Sequence, residues 1–118
     1  MEYKNTRDIS VNLKASEVIS LKASDYKGLF VPSFFPRISY EDLCQMKYMT
    51  YNEKAKKILS LYLTDFTKEE ISDCVDIAYN NKFENDKKAP LFLEQNHNKF
   101  MYILELFHGR AGSCKDIS

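Results

Sequence analysis

The chain has 118 residues, 44% apolar and 29% charged, with seventeen Lys and Arg balancing seventeen Asp and Glu. That length suits one small domain burying roughly two thirds of its unfolded surface, and the composition excludes a disordered or fibrous protein. The balanced charge excludes a long-range field drawing the chain to nucleic acid or to an anionic membrane.

In chain order, Met1 to Asp8 is polar with no apolar core behind it, so no secretory pattern is expected. No apolar run is long enough to span a bilayer, and a cytoplasmic, reduced protein is the expectation. Asn12 is expected to cap a brief helix through Val18 and Ile19. Gly28-Leu29-Phe30-Val31-Pro32 is a short apolar run of strand composition. Ser39, with Glu41 and Asp42 in the first turn and Leu43 and Met46 inward, predicts a short helix. Thr50 and Glu53 form a capping box ahead of a stripe at Ala55, Ile58, Leu59, Tyr62 and Leu63, the spacing of an amphipathic helix. Thr67 and Glu70 repeat that logic ahead of Ile71, Cys74, Val75, Ala78 and Tyr79, and the Asn80-Asn81 pair tolerates left-handed geometry. Further on, 91–94 and 101–106 predict a hairpin across the turn composition of Asn96 to Lys99. The sixteen Tyr and Phe residues are expected to be packing residues.

Cys44, Cys74 and Cys114 form no CxxC pair and have no histidine at ligand spacing, so neither zinc nor a disulfide framework is indicated. Chemistry concentrates in Phe107-His108-Gly109-Arg110-Ala111-Gly112-Ser113-Cys114-Lys115-Asp116, a glycine-bearing turn leading to a polar helix onset. A strand, loop and helix onset open an α/β unit that needs further elements to bury its faces, so the sequence reads as truncated. A phosphate-binding P-loop fails, because Gly109 and Gly112 are three apart and Asp116 stands where a hydroxyl should bind magnesium. Two readings of Lys115 remain from the residues alone: a solvated lysine at a helix start, or a Schiff-base lysine held on a rigid turn with its amine partly desolvated. His108 is expected to serve as a local hydrogen-bond donor, and Arg7 to pair with a carboxylate as readily as to touch a ligand.

Taken together, Tyr3-Lys4-Asn5-Thr6-Arg7, Gly28 to Pro32, Tyr51-Asn52-Glu53-Lys54-Ala55, Ala78-Tyr79, Ala89-Pro90-Leu91 and Leu104-Glu105-Leu106-Phe107-His108-Gly109 through Lys115-Asp116 resemble threonine synthases in order and approximate spacing. The resemblance covers the whole chain, and Glu105 to Gly109 six residues before Lys115-Asp116 is its most specific part. It implies an α+β architecture. Residues 1–95 would be a small, mostly helical N-terminal domain with a few short strands, and 96–118 the first strand and loop of a fold type II, tryptophan synthase β-like domain. It also implies pyridoxal 5'-phosphate as cofactor, Lys115 as the lysine that holds it and shuttles protons, and conversion of O-phosphohomoserine and water to threonine and phosphate. The partners implied are that substrate and the remainder of the polypeptide, with the 118-residue piece inactive by itself. The alternative is a stand-alone, non-catalytic interaction module built on the same domain. Departures from the family pattern are Ala111 for a hydroxyl residue, Cys114 for an aromatic beside the lysine, and Asp25-Tyr26-Lys27-Gly28-Leu29 for Asp-Gly-Gly-Leu. A turn needing positive φ resists Tyr or Lys, so that last loop is expected to change shape.

Overall fold

The computed structural model describes residues 1–22, 25–83, 88–96 and 99–117, and the chain divides into two compact units, Met1–Cys74 and Val75–Ser118. The first opens with a three-stranded antiparallel sheet of order β2-β1-β3, built from β1 (Glu2–Asn5), β2 (Asn12–Lys14) and β3 (Phe30–Pro32). In the central strand Glu2 and Lys4 are exposed while Tyr3 and Asn5 turn inward, the period of two that a half-buried strand requires. Tyr3 pairs with Leu13 on one side and Pro32 on the other.

Asn5 ends β1 and is 1% exposed. Its Oδ1 accepts the N–H groups of Arg7 at 2.8 Å and Asp8 at 3.1 Å, which reverses the chain as an Asx turn. Thr6 N–H donates to the Leu29 carbonyl at 2.8 Å, and Leu29 N–H donates back to Thr6 Oγ1 at 2.9 Å. Gly28 fits against this turn at φ +106°, where a Cβ would lie 2.6 Å from Arg7 Cγ and 2.9 Å from Asn5 Oδ1. The altered loop thus keeps its positive φ on the remaining glycine and spares Tyr26 and Lys27.

The helix expected from Asn12 begins later. Asn12 lies in β2, its strand partner Lys4, and α1 (Ala15–Ser20) starts behind Lys14, whose N–H donates to Glu17 Oε2 at 2.7 Å. Pairing with β1 occupies the backbone that a cap at Asn12 would have needed free.

The three helices expected downstream are present: α2 (Tyr40–Met46), α3 (Tyr51–Tyr62) and α4 (Lys68–Tyr79). Ser39 Oγ accepts from Asp42 N–H at 3.0 Å, Thr50 N–H donates to Glu53 Oε2 at 2.7 Å, and Thr67 N–H donates to Glu70 Oε2 at 2.8 Å. The reciprocal bonds from Glu53 N–H and Glu70 N–H complete two capping boxes. Asn81 adopts φ 55° past the end of α4, as its side chain permits. Ala15, Met46 and Ile71 are buried in the first unit, whereas the α3 stripe is mostly half-buried and Cys74 is exposed.

Polar ties hold the sheet and α1 to the turn between α3 and α4. The Met1 ammonium donates to Thr64 Oγ1, the Tyr3 hydroxyl donates to the Tyr62 carbonyl at 3.2 Å, and Ser16 N–H donates to Asp65 Oδ2 at 2.9 Å. The bond from Ser16 lowers the Asp65 carboxyl, while burial first, then the Asp65 charge, raises the Tyr3 phenol. Lys57 Nζ sits 2.6 Å from Asp42 Oδ1, joining α2 to α3. That contact, followed by the Ser39 hydroxyl, lowers the Asp42 carboxyl.

The second unit carries the end of α4 and a hairpin, β4 (Leu91–Asn96) with β5 (Lys99–Leu104), in a register running from Leu91↔Leu104 to Asn96↔Lys99. The expected hairpin is therefore real but shifted. Glu105 N–H donates to the Pro90 carbonyl at 3.0 Å, closing the ladder before Leu106. His97 and Asn98, in the expected turn, lie outside the described residues. The aromatic residues depart further from expectation: Phe34, Phe35, Tyr40, Tyr48, Phe100 and Tyr102 are all more than half exposed. Among the described residues no helix is long and apolar enough to cross a membrane.

Two outcomes follow from these contacts. Gly28→Ala should destabilise the first unit by about 2 kcal/mol or more, since it adds left-handed strain to overpacking, and a urea titration reads this. The Thr50 and Thr67 backbone N–H groups, then their hydroxyls, hold Glu53 and Glu70 below the ordinary value of 4.5. A lowered folded value means that each cap stabilises fully above pH 4.5 and loses that contribution as pH falls below it. The double variant Glu53→Gln, Glu70→Gln should therefore be less stable at neutral pH and show a shallower loss of stability in acid, followed by circular dichroism.

Candidate active site

The loop after β5 is organised by one carboxylate. Asp116 Oδ2 accepts the N–H of Ala111 at 3.0 Å and of Ser113 at 3.3 Å, so the acid bends the glycine-bearing segment around itself. Ser113 Oγ accepts Lys115 N–H at 3.3 Å, making Ser113 and Asp116 the two halves of a capping box on the 3-10 turn Cys114–Asp116. Gly109 lets the loop close: a Cβ there would lie 2.3 Å from Asp116 Cβ. Gly112 supplies φ +60°, with its N–H on the Gly109 carbonyl at 3.1 Å.

Lys115 stands on that turn, as the sequence suggests for a helix onset. The turn is fastened to the end of α4 by the Tyr79 hydroxyl, which donates to the Ile117 carbonyl at 2.8 Å. Between these two pieces of the second unit lies a cavity of about 330 Å³ lined by Ala78, Lys82, Phe83, Arg110, Lys115 and Asp116. The piece at the end of α4 contributes Ala78, Lys82 and Phe83, and the loop contributes Arg110, Lys115 and Asp116. Lys115 itself is exposed, so the partial desolvation expected of a Schiff-base lysine is not supplied by the described residues.

His108 behaves as a local hydrogen-bonding group, its Nε2 2.6 Å from Glu105 Oε2 and its ring stacked on Phe107 at 4.6 Å. Cys114 is exposed. Arg7 belongs to the first unit, where its Cγ packs toward Gly28. Asp116, Tyr79 and Lys82 were not expected to take part. The Ser113-x-x-Asp116 spacing carried a cap signature that would have flagged the first, whereas nothing local links Tyr79 to Ile117 across thirty-eight positions. Among the described residues no group of His, Cys, Asp and Glu could hold a metal ion.

Described residues thus form a mixed helix and strand region ending in a lysine-bearing loop, and comparison with known proteins gives its class. Residues 2–79 match the family model described as "Threonine synthase N terminus". Human threonine synthase-like 1 is 34% identical over 113 residues, covering 93% of this chain and 15% of the relative. Threonine synthase of Eremothecium gossypii is 30% identical over 122 residues, covering 98% of this chain and 23% of the relative. The crystal structure of PLP-bound threonine synthase from Brucella melitensis superposes with TM-score 0.83 at 26% identity, over 99% of this chain and 25% of that one. The chain belongs to the threonine synthase family and represents its N-terminal region. It spans a quarter or less of the length of these relatives.

Asp116→Ala should release the loop without touching the hairpin. The amides of Ala111 and Ser113 should exchange on the order of tenfold faster, since each loses a charge-assisted acceptor, while those of β4 and β5 keep their rates in hydrogen-exchange NMR.

Proposed function

We propose that this chain is the N-terminal part of a pyridoxal-phosphate-dependent threonine synthase, which converts O-phosphohomoserine and water to threonine and phosphate. The observation that carries the proposal is Lys115, an exposed amine on a cap-fixed turn that lines a 330 Å³ cavity. Support also comes from the PLP-bound relative, which this chain resembles over 99% of its own length.

The residues present fit that group. Lys115 Nζ would hold it covalently, the Phe83 and Ala78 wall offers an apolar surface for a ring, and the three cations suit an anionic cofactor. When bound, pyridoxal phosphate supplies an electron sink for charge developing on substrate carbons. The chain's own residues do the positioning. Ser113 and Asp116 fix the turn that carries Lys115, Gly109 and Gly112 let the loop close, and Tyr79 ties it to α4. The Lys115 amine, in its neutral form, would move protons at substrate carbons beside its attachment point.

Within this proposal, residues 1–95 form the small N-terminal domain and 96–118 open the cofactor domain. The hairpin supports that division. Its strands are apolar on both faces, with Leu93 and Tyr102 on one and Phe92 and Met101 on the other each more than half exposed. Such strands suit cover by further polypeptide, and the 118 residues by themselves would give no turnover.

In the natural polypeptide, pyridoxal phosphate should produce a yellow chromophore that survives gel filtration, and Lys115→Ala should abolish it while the far-ultraviolet circular dichroism stays unchanged. A chromophore of equal intensity in the variant would reject Lys115 as the attachment point.

A further inference from the structure

Between the hairpin and the glycine-bearing loop, the chain runs through Glu105, Leu106, Phe107 and His108 without helix or strand. The ladder ends where Glu105 N–H donates to the Pro90 carbonyl at 3.0 Å, and Leu106 and Phe107 make no backbone hydrogen bond among the described residues. A side-chain pair bridges that stretch, with His108 Nε2 2.6 Å from Glu105 Oε2. The His108 side chain is 16% exposed and that of Glu105 25%, so solvent screens this pair less than it screens a surface pair.

An ionised carboxylate only accepts, so Nε2 is the donor, and the bond is charge-assisted whether the ring is neutral or protonated. It closes residues 105–108 on themselves, with the imidazole also stacked on Phe107 at 4.6 Å. Gly109 comes next, its carbonyl accepting Gly112 N–H at 3.1 Å and its missing Cβ admitting Asp116. Asp116 therefore fixes the shape of the loop and Tyr79 fixes its far end on α4. The Glu105–His108 bond fixes the angle at which the loop leaves β5.

We infer that Glu105 and His108 are a positioning pair for the chemistry at Lys115, setting the take-off of the loop and thereby the place of the lysine amine. Neither residue lines the cavity, so both act through the loop backbone. The inference rests on the proposed function for what the amine does. Proton transfer needs the reacting atoms held in near-attack geometry, and a displacement of about 1 Å can cost on the order of a hundredfold in rate. A hydrogen bond remote from the cavity is thus able to govern turnover without contributing to binding.

The natural polypeptide is the test material, first without cofactor, with hydrogen exchange of the 106–117 segment read by mass spectrometry. His108→Ala and Glu105→Ala should each speed exchange there on the order of fivefold, while α3 keeps its rates and far-ultraviolet circular dichroism is unchanged. The double variant should match the single ones, because the second substitution removes a bond already broken. His108→Gln, whose amide N–H donor stands close to the position of Nε2, should return the rates to within about twofold of the unaltered protein. Loaded with pyridoxal phosphate, the alanine variants should lose on the order of tenfold in kcat with KM unchanged. They should also weaken the visible circular dichroism of the chromophore while its absorbance stays, whereas a purely structural defect would lower both.

Unchanged loop exchange in the alanine variants overturns the inference, and so does a double variant whose loss is the product of the two single losses. Failure of His108→Gln to restore what His108→Ala removes overturns it as well, since the hydrogen bond is then not the agent. A Lys115-dependent chromophore whose visible circular dichroism and kcat ignore both alanine substitutions leaves the proposed function standing without the positioning pair. Faster loop exchange in a protein that forms no Lys115-dependent chromophore overturns the proposed function and leaves the pair its hold on the loop.

Discussion

The carboxylate of Asp116 is the constraint on which the candidate site depends. A loop with glycines at 109 and 112 has backbone freedom that must be removed before a side chain on it can hold position, at roughly 1–2 kcal/mol per residue fixed. Asp116 removes it by accepting two amides at once, from Ala111 and Ser113, within the same turn that carries Lys115. The close fit of Gly109 against Asp116 shows the same economy from the other side: the loop can wrap the acid only because position 109 lacks a side chain. The lysine inherits its place from the acid that follows it.

The first unit uses the same device at its N-terminal turn. Asn5 Oδ1 accepts two successive amides, Thr6 exchanges two hydrogen bonds with Leu29, and a glycine of positive φ fills the space beside them. In both places a short polar side chain closes a turn on itself and a glycine makes room. The two turns differ in burial, since Asn5 is nearly inaccessible and its Nδ2 has no hydrogen-bond partner among the described residues. An orphaned buried amide costs about 1–3 kcal/mol, so Asn5 is retained at an energetic penalty for the turn that its oxygen makes.

Sequence reasoning succeeded where structure is decided within a few residues. The caps at Ser39, Thr50 and Thr67 and the left-handed Asn81 are local events, each governed by side chains within four positions, and each is present. It failed where partners are distant. Glu2–Asn5 is too polar to be read as a strand, yet β2 and β3 flank it on both sides, and only their pairing makes it one. Asn12 has the composition of a helix cap, but its place opposite Lys4 overrides that preference. For the site, the residues alone leave Lys115 open between a solvated lysine and a Schiff-base lysine, and its proposed role comes from the resemblance to threonine synthases. The contribution of Lys82 was not legible, because the fold brings it to the cavity from thirty-three positions away.

The aromatic residues show where a general rule gave way to a particular arrangement. Large apolar side chains are usually packed inside, and the aromatic residues of the expected hairpin read as packing residues. In the hairpin, cross-strand neighbours such as Phe92 with Ile103 and Leu93 with Tyr102 fall on opposite faces, and all four remain more than a third exposed. A two-stranded ribbon has one layer and therefore cannot shield two apolar faces; an isolated hairpin of this kind is marginal in water. The ladder survives with the Glu105 to Pro90 bond at its open end, while its side chains contribute little of the burial that each could provide, about 25 cal/mol for every Å² removed from water. The composition of these strands is thus matched to a sheet with cover on both sides, and the favourable energy encoded in them is realised only when that cover is in place.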